Sequence, residues 1–293
     1  MSTDRGEFVQ SLARGLSVIR SFAADRPTMT LAEVARETGL TRATARRLLF
    51  TLEALGYAAF DGKRFSLTPQ VLDIGYAYLS SLDLSAIAQP EMEALVDRTH
   101  ESSSAAVLDG TEIVYVTRVP TKRIMTISLG LGSRLPAYAT SMGRVLLADL
   151  ADDARCEHLP PEPWPALTAQ TIVDPDELRA ELARVREQGW ALVDQELEEG
   201  VRSIAAPLRD ASGRAVAALN VSSHAGRVDY ATLRDTFLPD LVATAAIAST
   251  TSAGRTGAPA ARRSSTRRSI RPTTPAATAA SGFTGFTACG GGR

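Results

Sequence analysis

Seven consecutive positions from Thr41 to Arg47 hold three arginines, two threonines and two alanines. Wound as a helix, they present Arg42, Ala43, Thr44, Arg46 and Arg47 outward over the first turn and a half, while Leu48, Leu49, Leu52 and Leu55 face a core. Guanidinium groups in that position pair bidentately with guanine in the major groove, Thr or Ala touches the thymine methyl, and the amides of the helix start hold phosphate. The competing reading is a solvated face whose arginines pair with Glu37 or Glu53. Lys63 and Arg64 fall on a hairpin immediately after the helix, where a wing grips the neighbouring groove or backbone.

A second constellation runs from Arg134 to Arg144, Arg-Leu-Pro-Ala-Tyr-Ala-Thr-Ser-Met-Gly-Arg. Thr140, Ser141, Met142 and Gly143 open a helix with small and hydroxyl residues, so backbone amides at a positive helix end offer a seat for a carboxylate, or simply a cap. A third is acidic, Asp194-Gln-Glu196 followed by Glu198-Glu199. Such carboxylates suit acid and base work on a small substrate, although a run of acids before a strand is also what a solvated loop looks like. No other enzyme chemistry is visible. His100, His158 and His224 stand singly, and neither a phosphate-binding glycine loop nor a Gly-x-Ser-x-Gly turn occurs. Cys156 and Cys289 are too far apart in sequence for a zinc-type spacing, so no metal and no cofactor is expected.

The elements that carry these residues follow from periodicity. Phe8, Leu12, Leu16, Ile19 and Phe22 recur at helical steps, and Pro27 ends that helix. Thr30 with Glu33 forms a capping box for a second helix that carries Leu31, Val34 and Ala35 inward. Gly39 is placed as a left-handed stop, Thr41 caps the third helix, and Gly56 ends it. Residues 57–60 and 63–67 then flank Asp61-Gly62, a hairpin dipeptide. Helix, tight turn, helix and hairpin make a winged helix-turn-helix over residues 1–68. Thr68-Pro69 starts linker helices over 69–101.

From residue 102 strands dominate. They are expected at 105–108, 112–119, 124–129, 191–194, 203–209 and 215–222, with helices at 139–150, 176–188 and 230 to about 248. Hairpin signals at Asp109-Gly110 and Asp210 to Gly213 favour an antiparallel sheet, hence an α+β class for 102–250. Residues 251–293 are Ala, Thr, Gly, Ser, Pro and Arg with almost no aliphatics, a composition that reads as a disordered tail.

Charge is segregated although the net is only -1. Residues 1–68 carry ten Lys/Arg against seven Asp/Glu, residues 69–250 carry fifteen against twenty-six, and the remainder has seven Arg and no acid. A basic front on an acidic body fits a chain whose front alone meets a polyanion. No apolar run is long enough to span a bilayer and the start lacks a signal-peptide core, so the reading is cytoplasmic with no membrane partner.

Taken in order, Ser11-Leu-Ala-Arg-Gly-Leu-Ser-Val-Ile, Thr41-Arg-Ala-Thr-Ala-Arg-Arg-Leu-Leu and Gly143-Arg144 before Leu146-Leu147-Ala148 resemble the IclR family of bacterial regulators over roughly residues 8 to 250. Phe8 to Leu16 and Leu135 to Ala148 look like its branch of PcaR, PcaU and PobR regulators, which controls aromatic-acid breakdown through the β-ketoadipate pathway. The resemblance implies a GAF-like effector domain and dimers or tetramers on palindromic operator DNA. It implies a small carboxylic-acid effector such as β-ketoadipate or protocatechuate, bound by Ser141, Met142, Asp194, Val201, Ser203, Asn220 and Ser222 beside Thr140. Many relatives carry cysteine at the position of Ser203 and serine at that of Asn220, and the Arg-rich tail has no counterpart. An enzyme using the acids near Asp194, a pure oligomerisation body, or a regulator of a different pathway are the alternatives that the sequence leaves open.

Overall fold

The computed structural model describes residues 8–23, 25–81, 84–121 and 129–255. It divides into two compact units, Met1–Leu82 and Asp83–Arg293. The linker expected at 69–101 is therefore shared between them.

In the first unit, helices α1 (Gln10–Arg20), α2 (Leu31–Thr38) and α3 (Arg42–Ala54) combine with a small antiparallel sheet of β1 (Thr28–Met29), β2 (Ala58–Phe60) and β3 (Phe65–Leu67) in the order β1-β3-β2; α4 (Leu72–Ser81) follows. The local signals act as read. The Thr30 hydroxyl accepts the Glu33 N–H at 3.3 Å while the Glu33 carboxylate accepts the Thr30 N–H at 2.7 Å. Gly39 ends α2 at φ 66°, a left-handed conformation that glycine adopts without a Cβ clash. At the hairpin turn Asp61 Oδ1 accepts the N–H groups of Lys63 and Arg64 at 2.8 and 2.7 Å. Val18, Val34, Ala45, Leu49, Ala58 and Phe65 form the core, and the rings of Phe50, Phe60 and Phe65 pack on one another within 5.7 Å.

Two expectations fail here. Leu48 is only half buried, and Leu55, which lies beyond the end of α3, is 58% exposed. The apolar stripe of α1 is also not core along its length. Val18 is buried and Ile19 and Phe22 pack against the core, but Leu12 and Leu16, like Phe8 ahead of the helix, are exposed. Periodicity reports an apolar face; it does not report what covers it.

In the second unit, α5 (Leu84–Thr99) leads into a six-stranded antiparallel sheet of β4 (Ser102–Asp109), β5 (Glu112–Val119), β6 (Arg134–Pro136), β7 (Ala191–Asp194), β8 (Val201–Arg209) and β9 (Ala215–His224), ordered β6-β5-β4-β9-β8-β7. Helices α6 (Ser141–Asp149), α7 (Asp152–Arg155), α8 (Pro175–Gln188), α9 (Tyr230–Thr232) and α10 (Leu238–Arg255) complete it. Tyr138, Met142, Leu147, Leu178, Leu182 and Ile113 lie in the core that α6 and α8 form with the sheet.

Differences from the expected elements are local. Residues 137–139 form a 3-10 turn, so α6 starts at Ser141 rather than at 139. The last helix is interrupted by a π turn over Leu233–Phe237, just before Pro239, whose missing N–H cannot close an ordinary α turn. The short strands β1 and β6 were not anticipated, since two or three residues carry no periodicity. Helix α10 continues to Arg255, five residues into the segment expected to be disordered; the rest of 251–293, and the expected strand at 124–129 except its last residue, lie outside the described residues. No helix among the described residues is long and apolar enough to cross a membrane.

Candidate functional site

Two places gather the residues singled out by sequence, one in each unit. On α3, Thr41, Arg42, Ala43, Arg46 and Arg47 are exposed and Thr44 is half buried, its hydroxyl 2.9 Å from that of Thr41. The N-cap bond from the Thr44 N–H to Thr41 Oγ1 at 3.2 Å leaves the first turn of α3 pointing outward with its arginines. Among the described residues none of Arg42, Arg46 and Arg47 has a carboxylate within ion-pair distance. Glu37 is taken instead by Arg26 at 2.7 Å. The Arg46 guanidinium lies over the Phe50 ring at 5.1 Å, which fixes its direction without neutralising it.

The hairpin behaves unevenly. Lys63 is exposed at the tip. Arg64 folds back, donating from Nε to Thr28 Oγ1 at 3.1 Å and from Nη2 to the Thr28 carbonyl at 3.0 Å and to Glu33 at 3.1 Å. Its charge ties the hairpin to the capping box of α2, so of the two wing cations only Lys63 points outward unpaired among the described residues.

In the second unit a cavity of about 30 Å³ lies at the start of α6. Its walls include Thr140, Ser141 and Met142 from the helix start, Val201 and Ser203 from β8, and Asn220 and Ser222 from β9. Seven of the eight residues expected in an effector pocket are thus brought together from three elements. Antiparallel pairing of Ser203 with Ser222 explains the adjacency of the two strands' hydroxyls. Ser141 and Ser203 hydroxyls meet at 2.8 Å, and Asn220 Nδ2 donates to Ser222 Oγ at 2.9 Å. Thr140 acts as the cap, accepting the Gly143 N–H at 3.2 Å. Gly143 is required: a Cβ there would fall 2.1 Å from the Ala137 carbonyl oxygen.

The eighth residue, Asp194, does not border the cavity. Its carboxylate is held bidentately by Arg202, at 2.8 Å to each oxygen. Sequence reasoning also missed six wall residues, Tyr115, Arg118, Leu129, Ala139, Val193 and Leu197. An arginine and a tyrosine inside a valine-rich strand were the available signal for two of them. Tyr115 is almost fully buried, and its hydroxyl has no hydrogen-bond partner among the described residues. Burial pushes its pKa up to about 12, partly offset by nearby Arg118, so the phenol stays neutral and able to donate.

The comparisons with known proteins bear on both places at once. Residues 11–62 match the IclR helix-turn-helix domain, and residues 76–250 match the bacterial transcriptional regulator IclR C-terminal domain. The chain belongs to the IclR family. It is 48% identical over 238 residues to the Pca regulon regulatory protein of Pseudomonas putida, covering 81% of this chain and 82% of that one. A crystal structure of a putative transcriptional regulator from Rhodococcus sp. RHA1 is 52% identical, with TM-score 0.77 over 85% of this chain and 100% of that one. An IclR homologue from Microbacterium hydrocarbonoxydans, crystallised with 4-hydroxybenzoate, is 26% identical, with TM-score 0.74 over 82% of this chain and 98% of its own.

This IclR-family chain is accordingly a transcriptional regulator with a helix-turn-helix for DNA, and two members of the acidic cluster, Asp194 and Glu196, have a structural explanation. Asp194 is neutralised by Arg202. Glu196 is buried and forms a bidentate pair with buried Arg144, whose Nη1 donates at 2.7 Å, while the Ile172 N–H donates to it at 3.1 Å. Arg144 Nε also holds the Tyr138 carbonyl at 3.0 Å, so one guanidinium pins the loop after β7 to the start of α6. Carboxylates fixed in this way position the cavity wall and are poor proton shuttles.

Proposed function

We propose that this regulator senses an aromatic carboxylic acid in the cavity at the start of α6 and controls genes for breakdown of that class of compound. The observation that carries the reading is the convergence of Ser141, Ser203, Asn220, Ser222, Tyr115 and Arg118 on one cavity with apolar Met142, Val193, Leu197 and Val201. Neutral donors and one guanidinium on an otherwise apolar wall suit a hydroxylated aromatic acid. The Pca regulon regulatory protein and the 4-hydroxybenzoate-bound homologue support the same class.

A cavity of about 30 Å³ accommodates one or two waters and no aromatic ring. An aromatic acid therefore needs the walls to part, and the Ser141 to Ser203 contact is the polar link between α6 and β8 that borders the cavity, the other, Arg209 to Asp149, lying at the far end of α6. Binding energy is in this way tied to a shift of α6, which is the differential affinity between two states that allosteric control requires.

On the DNA side, Arg42, Ala43, Thr44, Arg46 and Arg47 read the major groove from the capped start of α3 at Thr41, and Lys63 takes backbone phosphate. Arg64 holds the wing in register. Palindromic operator recognition needs two such helices, and the exposed Leu12, Leu16, Leu55 and Ile74 around an open cleft of about 670 Å³ support a second copy as the covering partner in a dimer or tetramer.

The test has two arms. Operators are selected from random duplexes by the purified chain, and fluorescence anisotropy then compares it with Arg46→Ala and Arg47→Ala. A thermal-shift screen with 4-hydroxybenzoate, protocatechuate and β-ketoadipate examines the cavity. Expected are sequence-specific binding lost in the variants and a stabilisation by at least one acid that also changes operator affinity. Stabilisation by none of these acids would sink the sensing half of the reading.

A further inference from the structure

The arginines of the second unit are nearly all answered by carboxylates. Of the thirteen in that unit whose side chains are described, eleven have an Asp or Glu within 4.0 Å. Arg186, without one, caps the end of α6 through the carbonyls of Ala148 and Leu150. The remaining one is Arg118. It lines the cavity, it is half buried, and the only hydrogen bond of its guanidinium among the described residues runs from Nη1 to Ser104 Oγ at 3.4 Å. Five N–H donors and a full positive charge thus stand beside a largely apolar space in a body that is strongly acidic overall.

How Arg118 reaches that wall is a matter of register. Along a regular strand, residues three apart point to opposite faces. In β5, however, Thr117 pairs with Ala105 while Tyr115 pairs with Ala106, so Val116 is the extra residue of a β-bulge. The bulge restores Tyr115 and Arg118 to one face, and both border the cavity. Opposite them is the first turn of α6. Thr140 there accepts the Gly143 N–H with its side chain and the Arg144 N–H with its carbonyl. The amides of Ser141 and Met142 are the donors left in that turn, beside the Ser141 and Ser203 hydroxyls.

We infer that Arg118 is the residue that selects a carboxylate: the effector's acid group pairs with the Arg118 guanidinium, and the ring's opposite polar group is taken by the hydroxyl and amide donors at the start of α6. The inference rests on the proposed sensing of an aromatic acid and assigns the orientation of the ligand in that cavity. A guanidinium in a partly desolvated site favours an anion over its neutral isostere strongly, whereas neutral amides and hydroxyls discriminate weakly. Under this assignment Arg118 decides charge, and the Ser141 and Ser203 side decides the ring substituent.

The experiment titrates the full chain with 4-hydroxybenzoate and with 4-hydroxybenzamide by calorimetry, in wild type, Arg118→Gln and Arg118→Lys. Expected is a roughly ten- to hundred-fold preference of the wild type for the acid. That preference falls to within about threefold in Arg118→Gln and is partly restored in Arg118→Lys, with the amide's own affinity little changed. Ser141→Ala in the same assay should weaken acid and amide together and leave their ratio intact. If wild type binds 4-hydroxybenzoate and Arg118→Gln keeps the preference, the acid group lies at the helix end and the assignment is wrong while the sensing reading stands. A wild-type chain that binds neither compound overturns both. A circular-dichroism melt of each variant accompanies the titrations, and Arg118→Lys carries the decision if Arg118→Gln does not fold.

Discussion

Arginine serves opposite purposes in the two units. On α3 the guanidinium groups of Arg42, Arg46 and Arg47 stand in solvent with no acid opposite them among the described residues, although Glu37 is close enough in sequence to have been a partner and pairs with Arg26 instead. In the second unit the same side chain is a strut. Arg144 on Glu196, Arg202 on Asp194 and Arg227 on Glu101 each close a loop or a strand end with a short charge-assisted pair. The lesson is that a cation is informative where its charge is left unanswered. An unpaired arginine is open to an anion that arrives from outside, which under the two proposals is nucleic acid at α3 and a carboxylate at Arg118.

The sharpest way to break that comparison is Arg144→Met. If Arg144 is a strut, removing it strands buried Glu196 and costs about 3–5 kcal/mol in chemical denaturation of the second unit, and a companion Glu196→Leu recovers part of the loss. A loss below about 1 kcal/mol would mean that the pair is not structural. Next comes the α3 side, where Arg46→Ala combined with Arg47→Ala should lower operator affinity roughly hundredfold and flatten its salt dependence without moving the melting temperature. A falling melting temperature would turn those arginines into struts as well.

A pH experiment sharpens the cavity's place in this scheme. Because the folded Tyr115 keeps its proton up to about 12 and an unfolded tyrosine loses it near 10, the folded state holds more protons across that interval. Stability from this group is complete below pH 10 and declines by about 2–3 kcal/mol as pH rises to 12. Tyr115→Phe should leave neutral-pH stability close to wild type and remove that part of the alkaline decline; an unchanged alkaline profile would place the phenol in solvent. The smallest effect is expected at the wing. Arg64→Ala loses an ion pair that is more than a third exposed on both sides, so stability should drop by no more than about 1 kcal/mol. Operator affinity would fall chiefly because the hairpin loses its tie to α2, and a larger drop in affinity than in Lys63→Ala would show that positioning outweighs direct phosphate contact.

Much of this was legible before any coordinates. Capping chemistry is local, so Thr30 with Glu33, Gly39, Thr41 and the Asp61-Gly62 turn announce a helix-turn-helix with a wing from side chains and backbone groups within a few residues of each other. For the same reason the start of α6 at Thr140 and Ser141 could be read as a helix end with donors to offer. What covers a helical stripe is not local, and so Leu55 was assigned inward when it faces out, and the periodicity of Leu12 and Leu16 carried no sign of their exposure. Asp194 was placed in the pocket by the family resemblance, whereas its carboxylate is taken by Arg202 on the paired strand.

The sequence by itself determined the kinds and order of the elements, the exposed cations of α3, and the small and hydroxyl residues that open α6, because hydrogen bonds and periodicity over a few positions specify them. Tertiary structure alone decided which of the long-range charges are answered. One extra residue in β5 turns Arg118 toward the cavity, and packing between elements delivers acids to Arg98, Arg134, Arg144, Arg202, Arg209 and Arg227, whereas Arg155, Arg179, Arg184, Arg214 and Arg234 find theirs within four residues of sequence. Charge pairing acts through space over a few ångströms, and only the folded chain determines which distant residues come that close.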